Sequence, residues 1–418
     1  MESPRSTSNS ILHLPYLKNR NIAILYFTYF AGSFWAMLGM WYVYFLGVVS
    51  PQQIAIVHTV GFIAGIAMDI PSGFLADKFG RKRFLSIGLV TFAVGIGLFA
   101  FIENIWQMIV FEIITQIGIA CISGAQEAVL YDTVYAMEDD KKKVDDIFAL
   151  IYSRCRMIIN VSLITSAVLG GVLYRFSDKA GWLMMSGLCL IAFVLTLTMQ
   201  NHQQTGQSIE IQVLSHTKTS IKIFTSKINR YLIPAILIFG GLAFTSDWGI
   251  FPMGSMERVG YTPLGISIFF SLLYVVCIFA NHYLPTIAKR LGNYLGFKYF
   301  GITTAFLMMI GIGLFKIEPY LIVIPLAVFV ILSSLMLSYM TVVISQISDE
   351  TNRATMLSIS SFSSKFLYLI SGPLMGYSFA HNAPEYSWLG YGLLSIIGVF
   401  ICGFIFKKYK KQLSQQST

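Results

Sequence analysis

The chain has 418 residues, of which 56% are hydrophobic and only 12% charged, and its mean hydropathy is +0.69. A soluble domain carries roughly 25% charged residues and cannot hide this much apolar surface, so a cytosolic globular enzyme is excluded, as is a disordered chain. The net charge of +9 would point to nucleic acid in a soluble protein, but the basic residues stand in short segments between apolar runs, and no nucleic-acid partner is expected.

Residues 1–20 form a polar tail without the short apolar core and cleavage site of a signal peptide. A membrane helix needs about 20 residues, and six apolar runs of that length follow, near 22–46, 54–75, 84–102, 105–136, 147–174 and 182–199. Residues 200–230, rich in Gln, Ser, Thr and Lys, read as a linker. Six more runs lie near 231–251, 264–287, 297–315, 320–347, 356–379 and 389–406, before a basic tail at 407–418. Continuous runs indicate helices and not a barrel of alternating ten-residue strands. The expected fold is an all-α integral membrane protein of 12 transmembrane helices, with bundles at 21–199 and 231–406.

With both termini placed in the cytoplasm, all but five of the 29 lysines and arginines fall on the inner side; Arg175, Lys179, Arg258 and Lys316 lie outside and Lys365 within a span. This asymmetry supports an even number of crossings in the cell membrane. Two weak internal matches favour a duplicated six-helix unit: 75–80 with 287–292, and 166–171 with 371–376. The five cysteines lie in or beside apolar stretches without a CxxC pair, which argues against disulfides and a zinc site.

Between the second and third runs stands Gly73-Phe74-Leu75-Ala76-Asp77-Lys78-Phe79-Gly80-Arg81-Lys82-Arg83. Gly80 suits a tight turn, Asp77 can meet a guanidinium or a helix N-terminus, and Arg81, Lys82 and Arg83 fix the loop at the inner face. This segment resembles the signature loop of the major facilitator superfamily. The resemblance implies two pseudo-symmetric six-helix bundles, and a secondary transporter in which Gly73, Asp77, Gly80 and Arg81 serve as a conformational latch. The chain departs from the drug–proton antiporters of that family. It has no basic residue in 112–118, and keeps only the final glycines of their fifth-span motif at 166–171.

An ionisable group inside a span is a functional candidate. In the fourth run Gln116, Ser123 and Glu127 fall within about 40° of one helix face, with Glu112 about 60° away, a stripe suited to a water-filled cavity. Glu127 is a proton-coupling candidate, and Asp247, in a polar break of the seventh run, is the second. Ser334, Ser338, Thr341 and Ser345 share a face of the tenth run, and Ser358, Ser361, Lys365 and Tyr368 one of the eleventh. Lys365 calls for a counter-ion or an anionic solute. Trp35, Trp41 and Trp248 can stack on an amphipathic solute. Asp69, Asp132, Arg154 and Arg156 read as structural charge clamps near the inner face.

The six histidines (13, 58, 202, 216, 282 and 381) show no metal or catalytic spacing, and no nucleotide motif is present, so neither an enzyme, a cofactor nor ATP drive is expected. The expected partners are a small-molecule substrate, protons and the lipid bilayer, the chain acting as a monomer. Proton-coupled export of an amphipathic compound is the leading reading. Proton-coupled uptake of a small organic solute is the alternative, and a non-transporting receptor or scaffold the remote one.

Overall fold

A computed structural model describes residues 14–138, 140–201, 232–248, 250–347 and 353–416. The linker expected at 200–230 lies almost wholly outside the described residues. In the first half the elements are α1 (Arg20–Gly32), α2 (Trp41–Leu46), α3 (Pro51–Phe79), α4 (Arg81–Leu98), α5 (Ile105–Tyr135), α6 (Lys141–Tyr174) and α7 (Ala180–Leu197). The second half opens with α8 (Leu232–Ala235), a π turn (Ile236–Gly240), α9 (Gly241–Trp248) and α10 (Ile250–Arg258). It continues with α11 (Pro263–His282), α12 (Leu284–Ile317), α13 (Val323–Ile347), α14 (Arg353–Ala380) and α15 (Pro384–Gln416).

Among the described residues, nine helices are long and apolar enough to cross a membrane, and a bent pair, Ile233–Ser246 with Ile250–Arg258, makes a tenth. The remaining two expected spans fall short of that measure for visible reasons. The first run does not form one helix: α1 has 13 residues and α2 has six. Between them Gly39 lies against the backbone of Ser267, which a Cβ there would approach to 2.7 Å. The eleventh, α14, is 28 residues long but carries Lys365, Pro373 and many serines. The basic segment expected as a tail at 407–418 is helical up to Gln416, continuing α15.

Local chemistry sets the ends of the helices. Ser50 caps α3 with a capping box to Gln53 and a proline at the first turn, and Thr262 caps α11 with Pro263 in the same place. Each half has its own aromatic core. Phe45 and Phe99 pack on Trp182 at 5.4 and 5.0 Å between ring centroids. Phe251 packs on Trp388 at 5.0 Å and on Tyr391 at 4.4 Å. Truncating a buried ring of this kind costs about 3–5 kcal/mol.

The halves meet along two seams, α3 against α14 and α6 against α11. A Cβ on Gly376 of α14 would meet Pro51 O at 2.7 Å and Ala55 Cβ at 2.5 Å; one on Gly171 of α6 would meet Leu264 Cδ1 at 2.8 Å and Ser267 Cβ at 3.1 Å. Ala55 and Ser267 occupy matching positions after their caps. The second internal match (166–171 with 371–376) therefore falls on mirrored contacts. The first match does not: 75–80 ends at the Gly80 turn, whereas 287–292 lies within α12, because the chain has already turned at Tyr283.

Candidate functional site

At the Ser50 end the halves are in contact through Gly376, Gly171 and Gly39, and α2 touches α10. At the Gly80 end, Asn21 and Gln200 exchange two 3.0 Å hydrogen bonds that tie α1 to the end of α7.

Gly80 links α3 to α4 with φ of 104° and ψ of 117°, backbone that a side chain would strain. The turn aims Arg81 at two carboxylates: Nε donates to Asp77 Oδ1 and an Nη to Asp132 Oδ1, each at 2.8 Å. Lys82 donates to the carbonyls of Leu197 and Met199 at the end of α7, while Arg83 is exposed. These contacts all lie within the first half of the chain. Gly73 is part of α3, and its packing lies outside the described residues.

The clamp expected around Asp132 includes Arg81, whose guanidinium stands 2.8 Å from Asp132 Oδ1. Asp69 finds its cation across the seam, with Lys365 Nζ 3.3 Å from its Oδ2. Arg154 is half-buried and Arg156 exposed on α6. Beside Lys365, Tyr368 is fully buried, its ring 4.9 Å from Phe62 of α3 and 6.4 Å from Phe244 of α9. Phe62 and Phe244 are themselves 5.6 Å apart. One aromatic cluster thus joins the halves.

The polar stripe of α5 divides. Ser123 and Glu127 are exposed, and Tyr152 of α6 donates to Glu127 Oε1 at 2.8 Å. Glu112 and Gln116 turn instead toward α3, whose Gly61 and Gly65 bring the two helices together. A Cβ on Gly65 would stand 3.3 Å from Gln116 Oε1, and one on Gly61 would overlap Glu112 Cγ. Glu112 is buried, accepting from Gln116 Nε2 at 3.0 Å and facing His58 Nδ1 at 3.1 Å.

Elsewhere, Ser334 accepts from Asn281 Nδ2 at 2.9 Å, a contact between α13 and α11. Ser338 is half-buried and Thr341 exposed. Trp35 packs edge-on against Phe92 at 5.7 Å, and Trp41 against His58 at 4.7 Å. Asp247 and Trp248 stand at the break where the seventh span bends by 44°. Their side chains lie outside the described residues, as do those of Ser345, Ser358 and Ser361. The five cysteines are buried and outside any disulfide.

A family model described as Major Facilitator Superfamily matches residues 22–366. The chain belongs to the major facilitator superfamily. It is similar to the quinolone resistance protein NorA of Staphylococcus aureus (strain Mu50 / ATCC 700699), 23% identical over 201 residues, 47% of this chain and 47% of that protein. The D-xylose transporter of Levilactobacillus brevis is 26% identical over 329 residues, 70% of this chain and 62% of that one. The matched part thus spans about half the length of the first relative and under two thirds of the second.

This superfamily member shares its fold with the nucleoside transporter NupG, at 16% identity and a TM-score of 0.73 over 94% of this chain and 99% of that one. A D-xylose-proton symporter gives 14% identity and 0.69 over 93% and 96%. The chain is a multi-span membrane protein of a transporter family. Reading the sequence for charges in spans singled out the carboxylates and Lys365 and passed over His58. It lies within the second apolar run, so the rule that found Glu127 applies to it equally.

Proposed function

We propose that this protein is a secondary active transporter that exports a small amphipathic solute by alternating access, coupled to protons. The observation that carries the reading is the pair of mirrored seams. Two helix pairs alone provide the main contacts between halves that each hold their own aromatic core, an arrangement that lets the halves rock as rigid bodies. The bundles are assigned to 21–199 and 231–406, both termini and the Gly80 end to the cytoplasm of a cell-membrane monomer. Closure at the Ser50 end then corresponds to a path open to the inside.

In this reading Glu127, exposed on α5 and held by Tyr152, receives the proton on the inner side, with Asp247 as a second coupling group. Ser123, Ser338 and Thr341 line the aqueous path, and Trp35, Trp41 and Trp248 offer aromatic surface for an amphipathic solute. The Arg81–Asp77–Asp132 cluster stiffens the latch of the first half. The partial match to NorA supports export of an aromatic compound. The match to the D-xylose transporter, which covers more of this chain, favours sugar uptake as the second reading.

The test is flux into proteoliposomes. With the purified chain reconstituted, an imposed pH gradient is expected to drive ethidium, an aromatic cation, uphill. Failure to move ethidium in exchange for protons, with D-xylose accumulated instead, replaces export by uptake. Failure with both, and with a broad panel of small solutes, removes the transport reading.

A further inference from the structure

We propose that His58 and Glu112 together form a proton-binding site on the Ser50 side of the path, an inference that rests on the proton-coupled reading above. Four observations place it. His58 Nδ1 faces Glu112 Oε1 at 3.1 Å, with side chains only 14% and 6% exposed. Gln116 donates to the same carboxylate oxygen, and Glu112 fills the space against α3 that a Cβ on Gly61 would take. The other ring nitrogen, His58 Nε2, is buried with no hydrogen-bond partner among the described residues. One turn further along α3, Phe62 makes the aromatic contact with Phe244 and Tyr368 of the other half.

A purely structural histidine satisfies both ring nitrogens, because leaving a buried donor or acceptor unmet is costly. Here one nitrogen is fixed by a carboxylate and the other is left open, the arrangement that lets a proton come and go. In the loaded state the imidazolium donates Nδ1–H to Glu112 and carries a second hydrogen on Nε2, so the pair is neutral overall. Unloading transfers the Nε2 proton to water; Nδ1–H stays on Glu112, and the pair keeps one negative charge. That charge is tolerated only where water reaches it. Both residues lie two turns, or about 10 Å, from the starts of α3 and α5, on the side where the halves now touch. Parting of Phe62 from Phe244 and Tyr368 admits water to Nε2, so opening and proton exchange are one event.

The other titratable and charged groups are few. Tyr368 of α14 acts electrostatically with Glu112. Tyr42 of α2, next to Trp41, interacts electrostatically with Glu257 and Arg258 of α10, and Tyr44 of α2 donates to Phe99 O. Asp69, about 16 Å along α3, is occupied by Lys365 of α14. From α4, which packs on α5, the charges are Arg81, Lys82 and Arg83 at the far end. The side chain of Asp247, in α9, lies outside the described residues.

The experiment needs no substrate. Trp41 meets the His58 ring edge-on at 4.7 Å, and an imidazolium quenches indole fluorescence where a neutral imidazole does not. Subtracting the signal of a Trp41→Phe variant isolates Trp41 in the purified full chain. We expect that signal to show a reversible quenching step on acidification, abolished by His58→Gln and displaced by Glu112→Gln. A step unchanged in His58→Gln, or no step in the wild type, overturns the proposal; thermal melting reports whether each variant is folded.

Proteoliposomes supply the second readout. His58→Gln and Glu112→Gln are expected to retain downhill ethidium exchange and to lose accumulation driven by the pH gradient. Full accumulation in both variants overturns the proposal even if the fluorescence step is present. If the wild type itself ignores the pH gradient, the coupled-transport reading fails, and the fluorescence step alone decides whether His58 and Glu112 hold a proton.

Discussion

Lys365 Nζ stands 3.3 Å from Asp69 Oδ2, an ion pair that joins α14 of the second half to α3 of the first, with the two side chains 25% and 35% exposed. It lies on the same seam as the Phe62–Tyr368 contact, so charge and aromatic packing hold the halves together at neighbouring levels. Because both partners are partly exposed, the pair contributes modestly, about 0.5–1 kcal/mol. A weak lock of this kind suits a seam that must loosen in each cycle.

The first prediction concerns this lock. Asp69→Asn and Lys365→Gln are each expected to lower thermal stability slightly, and the exchanged pair Asp69→Lys with Lys365→Asp to recover part of the loss. A double-mutant cycle with a coupling energy indistinguishable from zero refutes a stabilising pair.

The Gly80 turn gives a second. Gly80→Ala places a side chain at φ of 104° and is expected to destabilise by on the order of 1–3 kcal/mol. Arg81→Ala leaves Asp77 and Asp132 without the guanidinium between them and is expected to cost more than Arg81→Lys, which keeps one charge. Denaturation in detergent and ethidium flux measure both; equal effects of the Ala and Lys variants count against a two-carboxylate grip.

A third prediction uses the mirrored glycines. Gly376→Leu and Gly171→Leu are expected to prop open the Ser50 end, since even a Cβ lies within 2.8 Å of the opposing helix in each seam. Ala55 and Ser267 are fully buried in the closed arrangement. Cysteines placed there should react with a membrane-impermeant maleimide several-fold faster in the leucine backgrounds. No acceleration means these glycines do not govern closure.

The fourth concerns the inner side. Glu127→Gln is expected to abolish uphill ethidium transport while preserving exchange, and Tyr152→Phe, which removes the 2.8 Å hydrogen bond, to move the pH profile without abolishing transport. Full uphill transport by Glu127→Gln removes that residue from the coupling path.

Much of the molecule is legible in one dimension because lipid imposes a one-dimensional rule: a spanning helix satisfies its own backbone and must be apolar for its length. The apolar runs, the basic asymmetry and the Gly73–Arg83 segment follow from that rule and from local turn chemistry. Which faces meet does not follow, since it depends on how closely two backbones approach. Gly61 and Gly65 let α5 pack close enough on α3 to bring Glu112 against His58; Asp69 and Lys365, 296 residues apart, become partners because α14 packs on α3; and Gly39 lies against Ser267 of the other half. Helical periodicity assigns a residue to a direction around its own axis, and only the packing of neighbouring helices decides whether that direction holds water, lipid or another side chain.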